Sequence, residues 1–92
     1  MEFHGLAVSE EERGMVRFTG YEPGHDGEPC LVICHVSHKT LASLCKDGHA
    51  TPGELMRVFE RHETLIHAAA AAKFVRGDTS PVVTVRDLLL RR

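Results

Sequence analysis

Seven histidines and three cysteines stand among 92 residues, so transition-metal chemistry is the first possibility to weigh. The most suggestive string is His62-Glu63-Thr64-Leu65-Ile66-His67. It is one residue longer than H-E-x-x-H, in which two histidines one turn apart bind zinc from one helix face. A spacing of five sets the two rings about 140° apart around a helix, so they cannot share an ion. The plainer reading makes His62 a polar insertion in an apolar stripe and His67 a surface residue. Cys34-His35-Val36-Ser37-His38 is the second string. Neighbouring strand residues face opposite ways, so Cys34 and His35 cannot chelate together. That leaves His35 with His38, or Cys34 with a residue distant in sequence. His62 is the one histidine on the stripe that would face Cys34. A Cys34–His62 pair would place a thiol beside a base, the parts of a nucleophile. Without an opening to solvent, Cys34 is simply a small buried residue.

The metal candidates are therefore Cys34, His35, His38 and His62, with no paired C-x-x-C spacing to mark a structural zinc site. His4, His25 and His49 fall in turns or near the chain start and read as solvated; a loop set with His25 and His49 could hold a metal only across a subunit contact. Gly24-His25-Asp26-Gly27 joins strand to strand, so it lacks the strand-to-helix setting of a phosphate loop. With no convergent catalytic set, the chain reads as non-enzymatic, and no cofactor is assigned.

Bulk properties narrow the field further. The net charge is −2, with 42% apolar and 26% charged residues, ordinary for one globular domain spanning 1–92. The basic residues are scattered apart from Arg86, Arg91 and Arg92, and Tyr21 is the only tyrosine in a chain without tryptophan. A nucleic-acid-associated regulator, which needs a basic face and stacking surfaces, is thus a third reading only. No apolar run reaches the ~20 residues of a membrane span. Met1-Glu2-Phe3-His4-Gly5 has no signal-peptide character, which points to the cytoplasm. Cys30 and Cys34 would sit about 13 Å apart in one strand, too far for a disulfide, and free thiols are expected.

These residues are positioned by a simple set of elements. Thr51-Pro52-Gly53-Glu54 is a capping box with proline at the first helical position, and Gly77 suits a left-handed helix end. Between them the spacing predicts one helix of roughly 24 residues, about 36 Å long. Leu55, Val58, Phe59, His62, Leu65, Ile66, Ala69 and Ala70 form its core stripe. Ala68 to Ala72 suit either a tight contact within the fold or an interface. Met15 to Val36 reads as an antiparallel hairpin turning around Gly24 to Gly27. Ser37 should cap a short helix from His38 to about Lys46. Pro81 to Val85 reads as another strand, and Thr84-Val85-Arg86-Asp87 as a capping box opening a turn through Leu88, Leu89 and Leu90. Ser9-Glu10-Glu11-Glu12 is a further capping box for a turn ending at Gly14. Phe3, Leu6 and Val8 read as a short opening strand in a loosely ordered segment 1–13. The fold expected is α+β: a three- or four-stranded antiparallel sheet with a short and a long helix on one face.

The pattern resembles a known family. Val16-x-Phe18, Asp26-Gly27, Val32-x-Cys34-x-Val36-Ser37, Leu41 and Leu44, then Phe59 and Ile66, and finally Asp87-Leu88 are similar to short bacterial proteins of the domain of unknown function 1488. The resemblance covers about Val16 to Leu88. It implies a small antiparallel sheet with helices on it, a cytosolic location and no assigned activity. Family members often have Asn-Arg where this chain has His62-Glu63.

One consequence concerns partners. Leu31 and Ile33 point away from Val32, Cys34 and Val36 on the same strand. A strand apolar on both sides is normally covered on both, and one helical layer covers only one. The N-terminal segment or a second copy of the chain must supply the rest. Leu31 and Ile33 are therefore the interface candidates, and the leading expectation is a self-associating, homodimeric binding or regulatory module. A histidine- and cysteine-based metal-binding protein or small metalloenzyme is the alternative.

Overall fold

The computed structural model describes residues 1–24, 26–45, 48 and 50–89. Its centre is the hairpin of β3 (Met15–Pro23) and β4 (Pro29–Ser37), paired antiparallel from Met15↔Ser37 to Pro23↔Pro29. The alternation of apolar residues sets its two faces. Val16 and Phe18 of β3 pair with Val36 and Cys34 of β4, and all four are buried on the face that meets the helices. At the tip, the Gly24 amide donates to the Glu28 carbonyl at 2.7 Å, and Asp26 Oδ1 accepts from the Glu28 amide.

Both short strands of the N-terminal segment join the free edge of β3. β1 (Glu2–Phe3) pairs antiparallel with Gly20 and Tyr21, and β2 (Val8–Glu10) with Met15 to Arg17. Gly20 faces the core, where an added Cβ would collide with the Met1 side chain and crowd the Phe3 ring. Its missing side chain therefore lets β1 lie down. Ser9 does not cap a helix. It pairs within β2, and the turn that follows is a 3₁₀ turn at Glu11–Arg13, closed by Gly14 at φ +63°.

On the other edge, β5 (Val82–Val83) runs parallel to β4 beside His35 and Val36. This corrects the all-antiparallel expectation: the sheet has five strands and one parallel pair. The chain crosses one face through three helices before returning, and such a crossover delivers a parallel strand.

The helices are α1 (His38–Ala42), α2 (Pro52–Arg61), α3 (Glu63–Val75) and α4 (Val85–Leu89). Three of the expected caps form. Ser37 Oγ accepts from the Thr40 amide at 3.0 Å, Thr51 Oγ1 from the Glu54 amide at 3.3 Å, and Asp87 Oδ2 from the Thr84 amide at 2.8 Å. The short helix ends at Ala42 rather than near Lys46, which lies outside the described residues together with His25, His49, Leu90, Arg91 and Arg92.

The single long helix is not observed. It divides at His62, whose φ of −109° and ψ of 17° leave the helical region. The His62 ring Nδ1 donates to the Val58 carbonyl at 3.0 Å, the acceptor that the His62 amide also uses at 3.1 Å. A side chain competing for a ladder carbonyl is a recognised cause of helix breaks. The core stripe survives, because Phe59 and Ile66 are seven residues apart and return to nearly the same face. Leu55, Val58, Phe59, Ile66, Ala69 and Ala70 are all buried with Leu41, Val83 and Leu88. Ala69 and Ala70 are thus spent on close packing within the fold. Among the described residues, no helix is long and apolar enough to cross a membrane.

Candidate functional site

A cavity lies where α2 and α3 meet the sheet. Met56 and Phe59 reach it from α2, Glu63 and His67 from α3, and Phe3 and Phe18 from the sheet. The irregular run His4–Ala7, between β1 and β2, forms one wall, and the cavity measures about 300 Å³. His67 lies flat on Phe3, with ring centroids 4.0 Å apart and planes at 10°. Its ring is 5.5 Å from Phe18 and meets Phe59 edge-on at 6.2 Å. Burial depresses the His67 pKa below 6.5, and the Glu63 carboxylate only partly opposes this. The Nε2 to Glu63 Oε1 separation of 3.8 Å is too long for a hydrogen bond. At neutral pH the ring is therefore an uncharged aromatic surface. This corrects the placement of His67 at the solvent surface: β1, paired far away along the chain, brings Phe3 down onto it.

The two histidines of the second string are separated by the sheet itself. Ser9 and Glu10 are neighbours on β2 and point to opposite faces. Ser9 Oγ is hydrogen-bonded to His38 Nε2 at 3.0 Å on one side, and Glu10 Oε1 to His35 Nε2 at 3.1 Å on the other. Glu10 also sits 3.5 Å from Arg17 Nη1 and 3.7 Å from Arg13 Nη1. A shared ion on His35 and His38 is thus ruled out by the strand's own alternation. Cys34 is fully buried, and its Sγ reaches only the Val32 carbonyl, at 3.8 Å. Burial, and secondarily the Asp78 carboxylate, push its pKa up to about 11, so at neutral pH it is a thiol and not a nucleophile. His62 is occupied with Val58, and no Cys34–His62 hydrogen bond forms. Among the described residues, no group of three histidine, cysteine or carboxylate side chains could hold a metal ion. All three cysteines are free.

Away from the helices, the sheet presents a different surface. By register, Thr19, Tyr21, Leu31, Ile33 and Val82 share this face, and none of them is buried. Leu31 is 58% exposed. Apart from the His4 ring, 5.5 Å from Tyr21, the N-terminal segment leaves it open, since β1 and β2 lie beside β3 in the sheet rather than on it. Glu10, Arg17 and His35 close one end of the apolar strip, and Glu2, 3.1 Å from His4, stands at the other.

Compared with known proteins, the chain matches no family model, no curated sequence and no solved structure. The two-sided strand was readable from its residues. The aromatic cavity was not, because nothing local in Glu63 to His67 announces a partner at Phe3.

Proposed function

We propose that this protein is a cytoplasmic, non-catalytic binding or regulatory module that works as a homodimer, within the family of unknown function 1488 that its core pattern resembles. The observation that carries the reading is Leu31, a large apolar side chain left 58% exposed on the outer face of β4. Ile33, Tyr21 and Val82 extend that strip, and the face is free of charge between its two ends. An apolar centre with a polar rim is the usual anatomy of a protein interface.

Three considerations favour a second copy as the occupant. The β3–β4 ladder spans about 30 Å, and the four-strand rows are up to about 19 Å wide, giving roughly 500 Å² in projection. That approaches the ~800 Å² per partner of a standard interface. The ends also differ in chemistry: Arg13, Arg17 and His35 gather on Glu10 at one, and Glu2 stands with His4 at the other. A two-fold axis that runs the strands antiparallel sets each end against its opposite, as an isologous dimer requires. Finally, the outer strands are two or three residues long, too short for growth by edge pairing. Sedimentation equilibrium of the untagged protein tests the reading. A concentration-dependent dimer at high micromolar protein is expected; a strict monomer there removes it.

A further inference from the structure

The segment from Met1 to Ala7 is lightly held. β1 pairs through two residues only, Glu2 with Tyr21 and Phe3 with Gly20. The Met1 ammonium lies 3.0 Å from Glu22 Oε1, and the His4 amide reaches the Thr19 carbonyl at 3.4 Å. Between the Phe3↔Gly20 and Val8↔Arg17 pairs the segment advances five residues while β3 advances three. The slack bulges from the sheet edge, with Gly5 at φ +83° and Leu6 94% exposed. On the helix side Met1 and Phe3 pack against the core, and the Phe3 ring rests flat on His67 at 4.0 Å. We infer that β1 is a pH-sensitive strap latched by His67: the neutral ring holds Phe3 down, and its protonation lets Phe3 and the run His4–Ala7 lift away.

The latch rests on how the ring is enclosed. Phe3 covers one face, and Phe18 at 5.5 Å and Phe59 at 6.2 Å stand against it. An imidazolium carries two N–H donors, and both need acceptors. The titratable groups facing the ring are Glu63 on its own helix, Glu60 from α2 and His4 from the strap, while β3 offers only Phe18 and Thr19. The nearest carboxylate oxygen, Glu63 Oε1, is 3.8 Å from Nε2, beyond hydrogen-bond range. A cation on a phenyl face gains less than an unmet charged donor loses, so the charged ring needs water. Phe18 and Phe59 are core residues, 4% and 3% exposed, and cannot move aside. The cover that can leave is β1. The depression of the His67 pKa by burial, only partly opposed by Glu63, agrees with this. Release bares the Phe3 ring and leaves Gly20 and Tyr21 without an edge partner, so acidification creates new apolar surface beside an unpaired strand edge.

The test is NMR of the full chain between about pH 7.5 and about pH 5, the range in which histidine changes charge. Nuclear Overhauser contacts of Phe3 with His67 and with Gly20 should fade at the midpoint of the His67 titration. The open-to-closed ratio should rise by at most about tenfold per pH unit, as one proton requires. The β3–β4 ladder should keep its hydrogen-exchange protection throughout. His67→Phe should stay closed across the range, and Phe3→Ala, which removes the cover, should raise the His67 midpoint towards 6.5. A Phe3–His67 contact that survives titration of the ring, release of His67→Phe at the wild-type midpoint, loss of the whole ladder at that pH, or an unmoved midpoint in Phe3→Ala would each overturn the strap.

Discussion

Replacing Leu31 with lysine isolates the face on which the proposed dimer rests. Full burial of a leucine side chain is worth about 1.5–3 kcal/mol, and 58% of this one is still open to water in the single chain. Closing that remainder in a complex would gain about 1–1.7 kcal/mol. In a two-fold dimer every substitution is present twice, so Leu31→Lys removes about 2–3.5 kcal/mol of association energy. That is about 30- to 400-fold in the dissociation constant, before any penalty for burying the new ammonium. The monomer should notice little. Leu31 points away from the core, and exposed substitutions usually change stability by less than about 0.5 kcal/mol. Sedimentation equilibrium would measure association, and urea unfolding monitored by circular dichroism would measure stability. A variant that associates like the wild type shows that Leu31 is not in the interface. A variant that is monomeric but also markedly unstable shows that the residue supports the fold and that the dimer argument is misplaced.

Other outcomes follow from particular contacts. Asp87 is partly buried, which opposes its charge, yet Lys73 Nζ at 2.8 Å and the Thr84 amide and hydroxyl hold its carboxyl below the usual range. Asp87→Asn, which keeps an acceptor, should cost about 1 kcal/mol and Asp87→Ala about 2 kcal/mol by thermal melts; a cost-free Asp87→Asn would deny the ion pair a role. Because its folded pKa is depressed, the Asp87 contribution is complete above about pH 4 and fades as pH falls through the folded value, and Asp87→Asn should flatten that part of the profile. His67 has a folded pKa below 6.5, so the unfolded chain binds its proton first, and stability should rise with pH from the folded value up to about 6.5. His67→Phe keeps a ring on Phe3 and should abolish that slope; an unchanged slope would mean another group causes it. At pH 8 an aromatic disulfide reagent should label exposed Cys30 first and Cys34 only after unfolding. The raised pKa of Cys34 makes its contribution present below about pH 9 and lost towards pH 11, by up to about 2.7 kcal/mol. Equal labelling rates in the native protein would contradict its burial.

Much of this molecule is written in local pattern. The period of two in Val16–Phe18 and Val32–Cys34–Val36 set the hairpin and its inner face, and the glycines between them set the turn. Ser37, Thr51 and the Thr84–Asp87 pair each marked a helix start that is realised, because a cap is decided within four residues. The same pattern exposed Leu31 as an apolar residue on the wrong side of its strand. Other outcomes needed the whole chain. The parallel pairing of β5 depends on a crossover and not on the residues Val82 and Val83 themselves. His62 breaks a helix that its neighbours favour, since its ring and its amide seek one carbonyl. His35 and His38 were adjacent candidates until β2 offered them Glu10 and Ser9 on opposite faces. His67 became part of an aromatic cavity only because Gly20 lets β1 close on β3 and lay Phe3 against its ring. Caps, turns and amphipathic faces are short-range and survive in the sequence as spacing. Contacts between residues far apart along the chain leave no such trace, and it is those contacts that give the histidines their surroundings.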